Sequence, residues 1–324
     1  MKKKLSFILI TTNILLLLGC YSSSAVQEYN TYDKIQIALV TKMVDSIYWQ
    51  TIKKAAEEKA AELGNVEIIH LGPATESDIA TQVSIMETCI VDEYDGIILS
   101  ACDQDALIIP VEKAIATDIP VVMIDSGLSS PVYDAFLATD NIQAGAQCAD
   151  VLAELIGGKG KIGIINFSAS ASNAIKRELG FKNQIEAKYP DIEIVEIKYC
   201  DSDPLQATTQ ATNMIVAEPE LKGIWGVNAF ATVGIANAVS SQNKIDEIFV
   251  VGFDNTEPVL AALESGTIQA TAVQMPTIMA SESVQMVINI LNGDYPKQKE
   301  IDTGIVMVTL DNLYDELSQA ALHQ

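Results

Sequence analysis

Six polar residues stand directly behind apolar runs that read as buried strands: Lys42 and Asp45 in one loop, then Asp125, Asn228, Asp254 and Gln274. A lone Asp or Asn after a strand is ordinarily a turn residue or a helix cap. Repetition at corresponding strand ends carries a further implication. Carboxylates and carboxamides offer the paired acceptors and donors that match adjacent hydroxyls, as on a sugar, and an aromatic face covers the C–H side of such a ring. Tyr48 and Trp49 are candidate faces, although aromatics at a helix start are about as often core. Lys42 with Asp125 and Asp254 can also be drawn as an acid–base group, but hydroxyl binding is the stronger reading.

Other chemistries lack their residues. No GxSxG, HExxH, P-loop or deaminase-type Cys/His pattern occurs, which argues against a hydrolase, a metalloenzyme or a phosphoryl-transfer enzyme. The only histidines are His70 and His323 and no CxxC occurs, so neither a metal site nor a cofactor is expected. Gly158-Lys159-Gly160-Lys161-Ile162-Gly163 matches GxGxxG, yet here the glycines end a predicted helix and precede a strand. A pyrophosphate cradle needs the opposite order, so they read as a helix stop and tight turn. Cys89, Cys102, Cys148 and Cys200 each sit in or beside an apolar run, and buried free thiols are the expectation. Spacing does not choose among the three pairings that four cysteines allow.

The elements that would position these residues alternate. Ile35 to Val40 reads as a buried strand, a polar loop holds Lys42, Asp45 and Ser46, and Tyr48-Trp49 open a helix running to Leu63. Strands at Val66–Ile69, Gly96–Leu99, Pro120–Ile124 and Phe136–Ala138 alternate with helices at Asp78–Cys89 and Asp105–Ala116. A second series follows, with strands at Lys161–Asn166, Ile192–Lys198, Gly223–Val227, Ile248–Gly252 and Ala270–Val273. Its helices are expected at Ile142–Ile156, Ser172–Tyr189, Pro204–Ala217, Ala231–Ser241 and Pro258–Glu264. A helix from Thr277 to Leu291, a strand at Ile305–Thr309 and a terminal helix from Leu310 to Gln324 complete the chain. Short apolar runs separated by helices predict two α/β domains of parallel βαβ units with right-handed crossovers. Ligands of such sheets sit outside the carboxyl ends of the strands, where the six polar residues lie.

Length and composition agree. The 324 residues exceed one core of usual size, and 49% of them are hydrophobic. A net charge of -23, from 20 Lys plus Arg against 43 Asp plus Glu, repels nucleic acid and anionic membrane. Lys2, Lys3 and Lys4 precede an apolar segment, Leu5 to Leu18, that is short for a membrane span and reads as a signal peptide. It ends in Leu17-Leu18-Gly19-Cys20, which resembles the bacterial lipobox. That resemblance implies lipidation of Cys20 and membrane anchoring outside the cytoplasm, with residues 21–32 as a polar, Ser-rich tether.

These features together carry a wider resemblance. Ile37-Ala38-Leu39-Val40 with its loop and aromatic pair, Ile119-Pro120-Val121-Val122 running into Asp125, and Thr139-Asp140-Asn141 with Gly145 belong to it. So do Arg177-Glu178-Leu179-Gly180-Phe181, Asn228, Val250-Val251-Gly252-Phe253-Asp254 and Gln274-Met275-Pro276. Singly each is weak; in this order and spacing, from Lys34 to about Asn312, the chain resembles the periplasmic sugar-binding proteins of the ribose-binding type, the substrate-binding subunits of ABC importers.

The resemblance implies the type I periplasmic binding protein fold, two Rossmann-like lobes with parallel sheets joined by a three-segment hinge, with the ligand clamped between them. The crossings map near Thr139, Met275 and Asp302. The N-terminal lobe is then 33–139 plus 276–302 and the C-terminal lobe 140–275 plus 303–324. Carried over by motif, the ligand contacts are Lys42, Ser46, Tyr48, Trp49, Asp125, Ser126, Arg177, Asn228, Asp254 and Gln274. Arg177 comes from the resemblance alone, since spacing makes it a solvated helix residue beside Glu178. Ribose-type members have a small hydroxyl residue at Lys42 and an Arg at Ser126. A Lys near the first loop with an Asp after the fourth strand, here Lys42 and Asp125, is similar to the autoinducer-2 binding relatives, while Asn228, Asp254 and Gln274 keep the sugar-type pattern, which points away from ribose itself. The implied function is non-enzymatic capture of a monosaccharide or similar polyol for an ABC permease. The alternative is a sensor of sugar or autoinducer-2 type presenting its closed state to a membrane receptor or histidine kinase.

Overall fold

The structure, a computed structural model, describes residues 34–323; the expected signal peptide, Cys20 and the tether lie outside them. Two six-stranded sheets organise the described chain. The first contains β1 (Ile35–Val40), β2 (Val66–Leu71), β3 (Gly96–Leu99), β4 (Val121–Ile124), β5 (Ala135–Ala138) and β11 (Glu300–Asp302), in the order β11-β5-β4-β3-β1-β2, all parallel. The second contains β6 (Gly160–Asn166), β7 (Ile192–Tyr199), β8 (Leu221–Gly226), β9 (Phe249–Phe253), β10 (Ala270–Gln274) and β12 (Ile305–Thr309), in the order β12-β10-β9-β8-β6-β7. Only the β10–β12 pair is antiparallel. In each sheet the first strand lies inside and the chain winds outward from it in both directions. That leaves a crevice at the reversal, beside β1 in one sheet and β6 in the other.

Strand alternation explains how each sheet is covered. Ile37 and Leu39 pack on one face against Trp49, Ile52 and Ala56 of helix α1 (Ile47–Leu63) and Ala280, Val284 and Val287 of α9 (Pro276–Leu291). Ala38 and Val40 point to the other face, into a cluster with Met86, Cys89 and Val111. Both faces are therefore dry, and the strands read as continuous apolar runs. The second sheet has its own cluster, built on Ile162, Ile164, Trp225, Val250 and Phe253. Helix α1 is set by its ends: Ser46 accepts the Trp49 amide at 3.2 Å, and Gly64 closes the helix at φ 84.

In the second series, α4 (Asn141–Leu155) lies unusually close to α5 (Ser172–Lys188). A Cβ on Gly145 would sit 2.0 Å from the Arg177 carbonyl oxygen, and one on Gly180 would sit 2.0 Å from that of Ile142. Two helices in backbone contact hold Arg177 in a fixed place. The GxGxxG segment is a helix stop, as its order requires: Gly157 and Gly158 take φ of 74 and 75 between α4 and β6, and Gly160 takes φ 123 as β6 begins. All four cysteines of the described chain are free and buried, as expected.

The expected terminal helix from Leu310 is shorter. Helix α10 spans Glu316–Leu322, because Asn312 turns its side chain back, accepting the Thr309 amide at 2.8 Å and donating to the Met307 carbonyl at 3.0 Å. Such a local bond replaces the first helical turn. Strand β11 went unpredicted; it has three residues, two of them exposed, and so carries no apolar run.

Candidate functional site

The carboxyl ends of both sheets face one cavity of about 340 Å³. Lys42, Ser46, Tyr48, Trp49, Asp125, Arg177, Asn228, Asp254 and Gln274 all line it, as does Asp45 at the exposed rim. Ser126 does not. Asp125 adopts φ 56 and the Ser126 amide bonds back to the Ile124 carbonyl at 2.5 Å, a tight turn that carries the chain away from the cavity. Ser126 Oγ is left buried with no hydrogen-bond partner.

Two aspartates anchor the walls, one from each sheet. Asp125 follows β4 and Asp254 follows β9, and both take left-handed backbone, at φ 56 and φ 69. Asp is among the few residues that tolerate this conformation, which turns its carboxylate back over the strand ends. Asp125 Oδ2 accepts from Ser100 Oγ at 3.1 Å and Asn173 Nδ2 at 3.0 Å and lies 3.2 Å from Lys42 Nζ, while Oδ1 accepts the Tyr48 hydroxyl at 3.3 Å. Burial, reinforced by the Asp125 charge, holds the Tyr48 hydroxyl well above its ordinary pKa, so it stays a donor. Lys42 also donates to Asn173 Oδ1 at 3.1 Å and stands over the Phe167 ring at 5.1 Å.

Asp254 accepts from Gln274 Nε2 and from the Ala229 amide, at 2.8 and 2.9 Å. Ala229 opens helix α7 (Ala229–Ser241), so the carboxylate lies at a helix N-terminus. Burial raises the Asp254 pKa from its ordinary value; Arg177, Gln274 and the Ala229 amide offset part of that, and Asp125 adds to it. Arg177 is 1% exposed in mid-helix, its guanidinium carbon 3.7 Å from the centre of the Phe253 ring. Its Nε donates to Asn141 Oδ1 at 2.7 Å, Nη1 to the Val227 carbonyl at 2.9 Å and Nη2 to Gln274 Oε1 at 2.8 Å. Three of its five N–H groups are thus engaged by protein acceptors, which fixes the fork and leaves two.

Ser46 and Asn228 show that the cap and the site readings hold together. Asn228 Oδ1 caps α7 through the Ala231 amide at 2.9 Å, and Ser46 caps α1, while both line the cavity. The arrangement presents two cations, Lys42 and Arg177, and four carboxylates, Asp125 and Asp254 inside with Glu76 in the wall and Asp45 at the rim, among aromatic and amide groups. With more acceptors than cations and spare donors on Arg177, it can bind a neutral ligand rich in hydroxyls and disfavours an anion.

Sequence reasoning missed Phe167, Asn173 and Glu76, all in the wall. Phe167 directly follows β6, so the strand-end rule applied to aromatics would have found it. Asn173 stands four residues before Arg177 and hence on the same helix face, a signal available only once Arg177 is placed. Glu76, in the loop after β2, has no sequence signal.

Residues 37–294 match the family model described as the periplasmic binding protein domain. The D-ribose/D-allose-binding protein of Pseudomonas aeruginosa is 26% identical over 319 residues, covering 95% of this chain and 99% of that protein. The ribose import binding protein of Bacillus subtilis is 26% identical over 313 residues, with 95% and 99% covered. Among solved structures, an ABC transporter solute-binding protein from Agrobacterium vitis with bound D-fucose is 35% identical with a TM-score of 0.86, covering 89% of this chain and 99% of that one. A carbohydrate transporter solute-binding protein from Agrobacterium radiobacter in complex with D-arabinose is 31% identical, again with a TM-score of 0.86 and coverage of 89% and 99%.

Proposed function

The chain belongs to the periplasmic binding protein domain family, and we propose that it is the extracytoplasmic solute-binding protein of an ABC importer, specific for a neutral monosaccharide or similar polyol. The observation that carries this reading is the single cavity into which both sheets direct a left-handed aspartate, Asp125 and Asp254, each already held by neutral donors. Similarity to sugar-import proteins along nearly their whole length supports it.

The ligand sits between two lobes, 33–139 plus 276–302 and 140–275 plus 303–324, and contacts Lys42, Ser46, Tyr48, Trp49, Asp125, Arg177, Asn228, Asp254 and Gln274. Trp49 and Phe167 cover its C–H faces. Asp254, Asp125 and the two spare N–H groups of Arg177 hold its hydroxyls by charge-assisted hydrogen bonds. Contact with both lobes favours the closed form, which is what a permease would receive. Binding proceeds without turnover: Asp125 Oδ2 is engaged by Ser100, Asn173 and Lys42, and Oδ1, which accepts the Tyr48 hydroxyl, keeps a lone pair suited to accepting a ligand hydroxyl. Before export the chain carries the signal peptide 1–20, and Cys20 takes the lipid that anchors the protein to the membrane through the tether 21–32.

A thermal-shift panel of pentoses, hexoses, polyols and autoinducer-2 tests the reading. At least one sugar should raise the unfolding temperature of the wild type, and Asp254→Ala and Arg177→Ala should each abolish that rise while remaining folded. Unchanged shifts in both variants would overturn the site.

A further inference from the structure

Glu76 and Ser202 have no assigned part in the site, yet they join its two walls. Glu76 stands in the loop after β2 and Ser202 in the turn after β7. Glu76 Oε1 accepts the Trp49 indole N–H at 2.9 Å, and Oε2 accepts the Ser202 hydroxyl at 2.6 Å. Ser202 Oγ in turn accepts from Asn228 Nδ2 at 3.1 Å. The result is an unbroken chain, Trp49 to Glu76 to Ser202 to Asn228, that starts in the first turn of α1 on the first-sheet side and ends at the N-cap of α7 on the second.

Each end of this chain is a ligand-facing group whose direction matters. Asn228 Oδ1 is committed to the Ala231 amide, so its amide plane is set once Ser202 takes one Nδ2 hydrogen, and the remaining hydrogen is left for the cavity. The Trp49 ring is likewise held at its N–H. Both Glu76 oxygens are occupied by protein donors, so the carboxylate acts through these neighbours. The Ser202 backbone gives a second, independent sign. Asp201 and Ser202 take φ of 50 and 55, two successive left-handed residues without a glycine, a strained arrangement that persists where the surroundings over-determine it.

We propose that Glu76 and Ser202 are positioning residues of the ligand site: the Glu76 carboxylate orients the Trp49 ring and, through Ser202, the Asn228 amide, so both walls acquire binding geometry together, on closure. This rests on the reading that the ligand lies between Trp49 and Asn228.

The test separates positioning from folding. Ser202→Gly removes the hydroxyl but relieves the left-handed backbone, so the ligand-free variant should unfold no lower than the wild type. It should nevertheless bind at least about tenfold more weakly whichever of D-fucose, D-arabinose and D-ribose stabilises the wild type most. Glu76→Ala should lose affinity similarly, and the double variant should lose little more than the worse single one, because both cut the same chain. Glu76→Gln, which keeps an acceptor for only one of the two donors, should fall between. If Ser202→Gly and Glu76→Ala bind within about twofold of the wild type while Asp254→Ala loses binding, the site stands and the positioning role is overturned. If Asp254→Ala binds as the wild type does, the site reading fails and the proposal falls with it.

Discussion

Lys42 Nζ stands 3.2 Å from Asp125 Oδ2, and each side chain is 3% exposed. A pair this deeply buried gains Coulomb energy and loses hydration in comparable amounts, so its net worth is small, but either member alone is costly. Three further donors hold Asp125, from Ser100, Asn173 and Tyr48, which places the cost of Lys42→Met at the lower end, about 3 kcal/mol. Asp125→Asn should destabilise comparably, since Asn tolerates the left-handed backbone and the loss is then one of charge. The double variant should recover most of that stability without regaining ligand. Urea denaturation of the two single variants and the double one measures the coupling; additivity within about 0.5 kcal/mol would show that the pair is not coupled.

Asp254 makes ligand affinity depend on pH. Its pKa is raised from the ordinary 3.8, chiefly by burial. The folded protein therefore binds that proton more readily than the unfolded chain does. As pH rises from the ordinary value through the raised one, ionisation of Asp254 lowers the stability of the ligand-free fold; as pH falls, the penalty is relieved. Ligand hydroxyls bind the ionised form, so affinity should drop on acidification at a pH above the ordinary carboxylate range. Titration calorimetry across that range checks it, with Asp254→Asn expected to bind weakly and without this pH step. Affinity that holds steady to pH values below 3.8 would contradict the raised pKa.

Gly145 and Gly180 keep α4 and α5 in backbone contact, and a methyl group at either would meet a carbonyl oxygen at 2.0 Å. The helices must separate to admit it, at about 1–3 kcal/mol, the usual cost of overpacking. Because Arg177 lies in the contacted turn of α5, Gly145→Ala should also weaken ligand binding although it touches no ligand. Thermal unfolding and sugar affinity of the two alanine variants, measured together, check this; a stability loss with unchanged affinity would mean that Arg177 keeps its place without the close contact.

Much of this architecture was legible because two signals coincide in the sequence. Runs such as Ile37 to Val40 are buried on both faces, so they stand out as strands without alternation. Polar residues directly behind such runs are where an open α/β sheet meets its ligand, which is how Lys42, Asp125, Asn228, Asp254 and Gln274 became visible. Arg177 obeys neither signal. It is a buried cation in the middle of a helix, and its partners Asn141, Val227 and Gln274 are brought to it only by the tertiary fold. Asn173 and Glu76 were hidden for the same reason, since their partners Lys42, Asp125, Trp49 and Ser202 are 27 to 131 residues away. Ser126 shows the converse: it sits two residues past a true strand end, but the left-handed turn at Asp125 takes it out of the wall.

The thiols offer a check on packing that does not depend on any ligand. Burial pushes the Cys89 thiol up to about 11 and those of Cys148 and Cys200 up to about 12, and it raises Cys102 as well. Thiolate is the reactive species, so at pH 8 all four should be inert for two reasons, lack of access and lack of ionisation. Cys102 is the informative one. Its Sγ lies 3.6 Å from the Lys42 carbonyl oxygen, beside a small cavity that is also lined by Phe167 and Asp201 of the second-sheet side. Opening of the lobes would expose that cavity, so Cys102 should be the first to react with a maleimide in the ligand-free protein, and ligand should slow it. Mass spectrometry of the labelled peptides, native against denatured, resolves the order. Labelling of Cys148 or Cys89 ahead of Cys102 would show that access comes from local unfolding of a core and not from lobe opening.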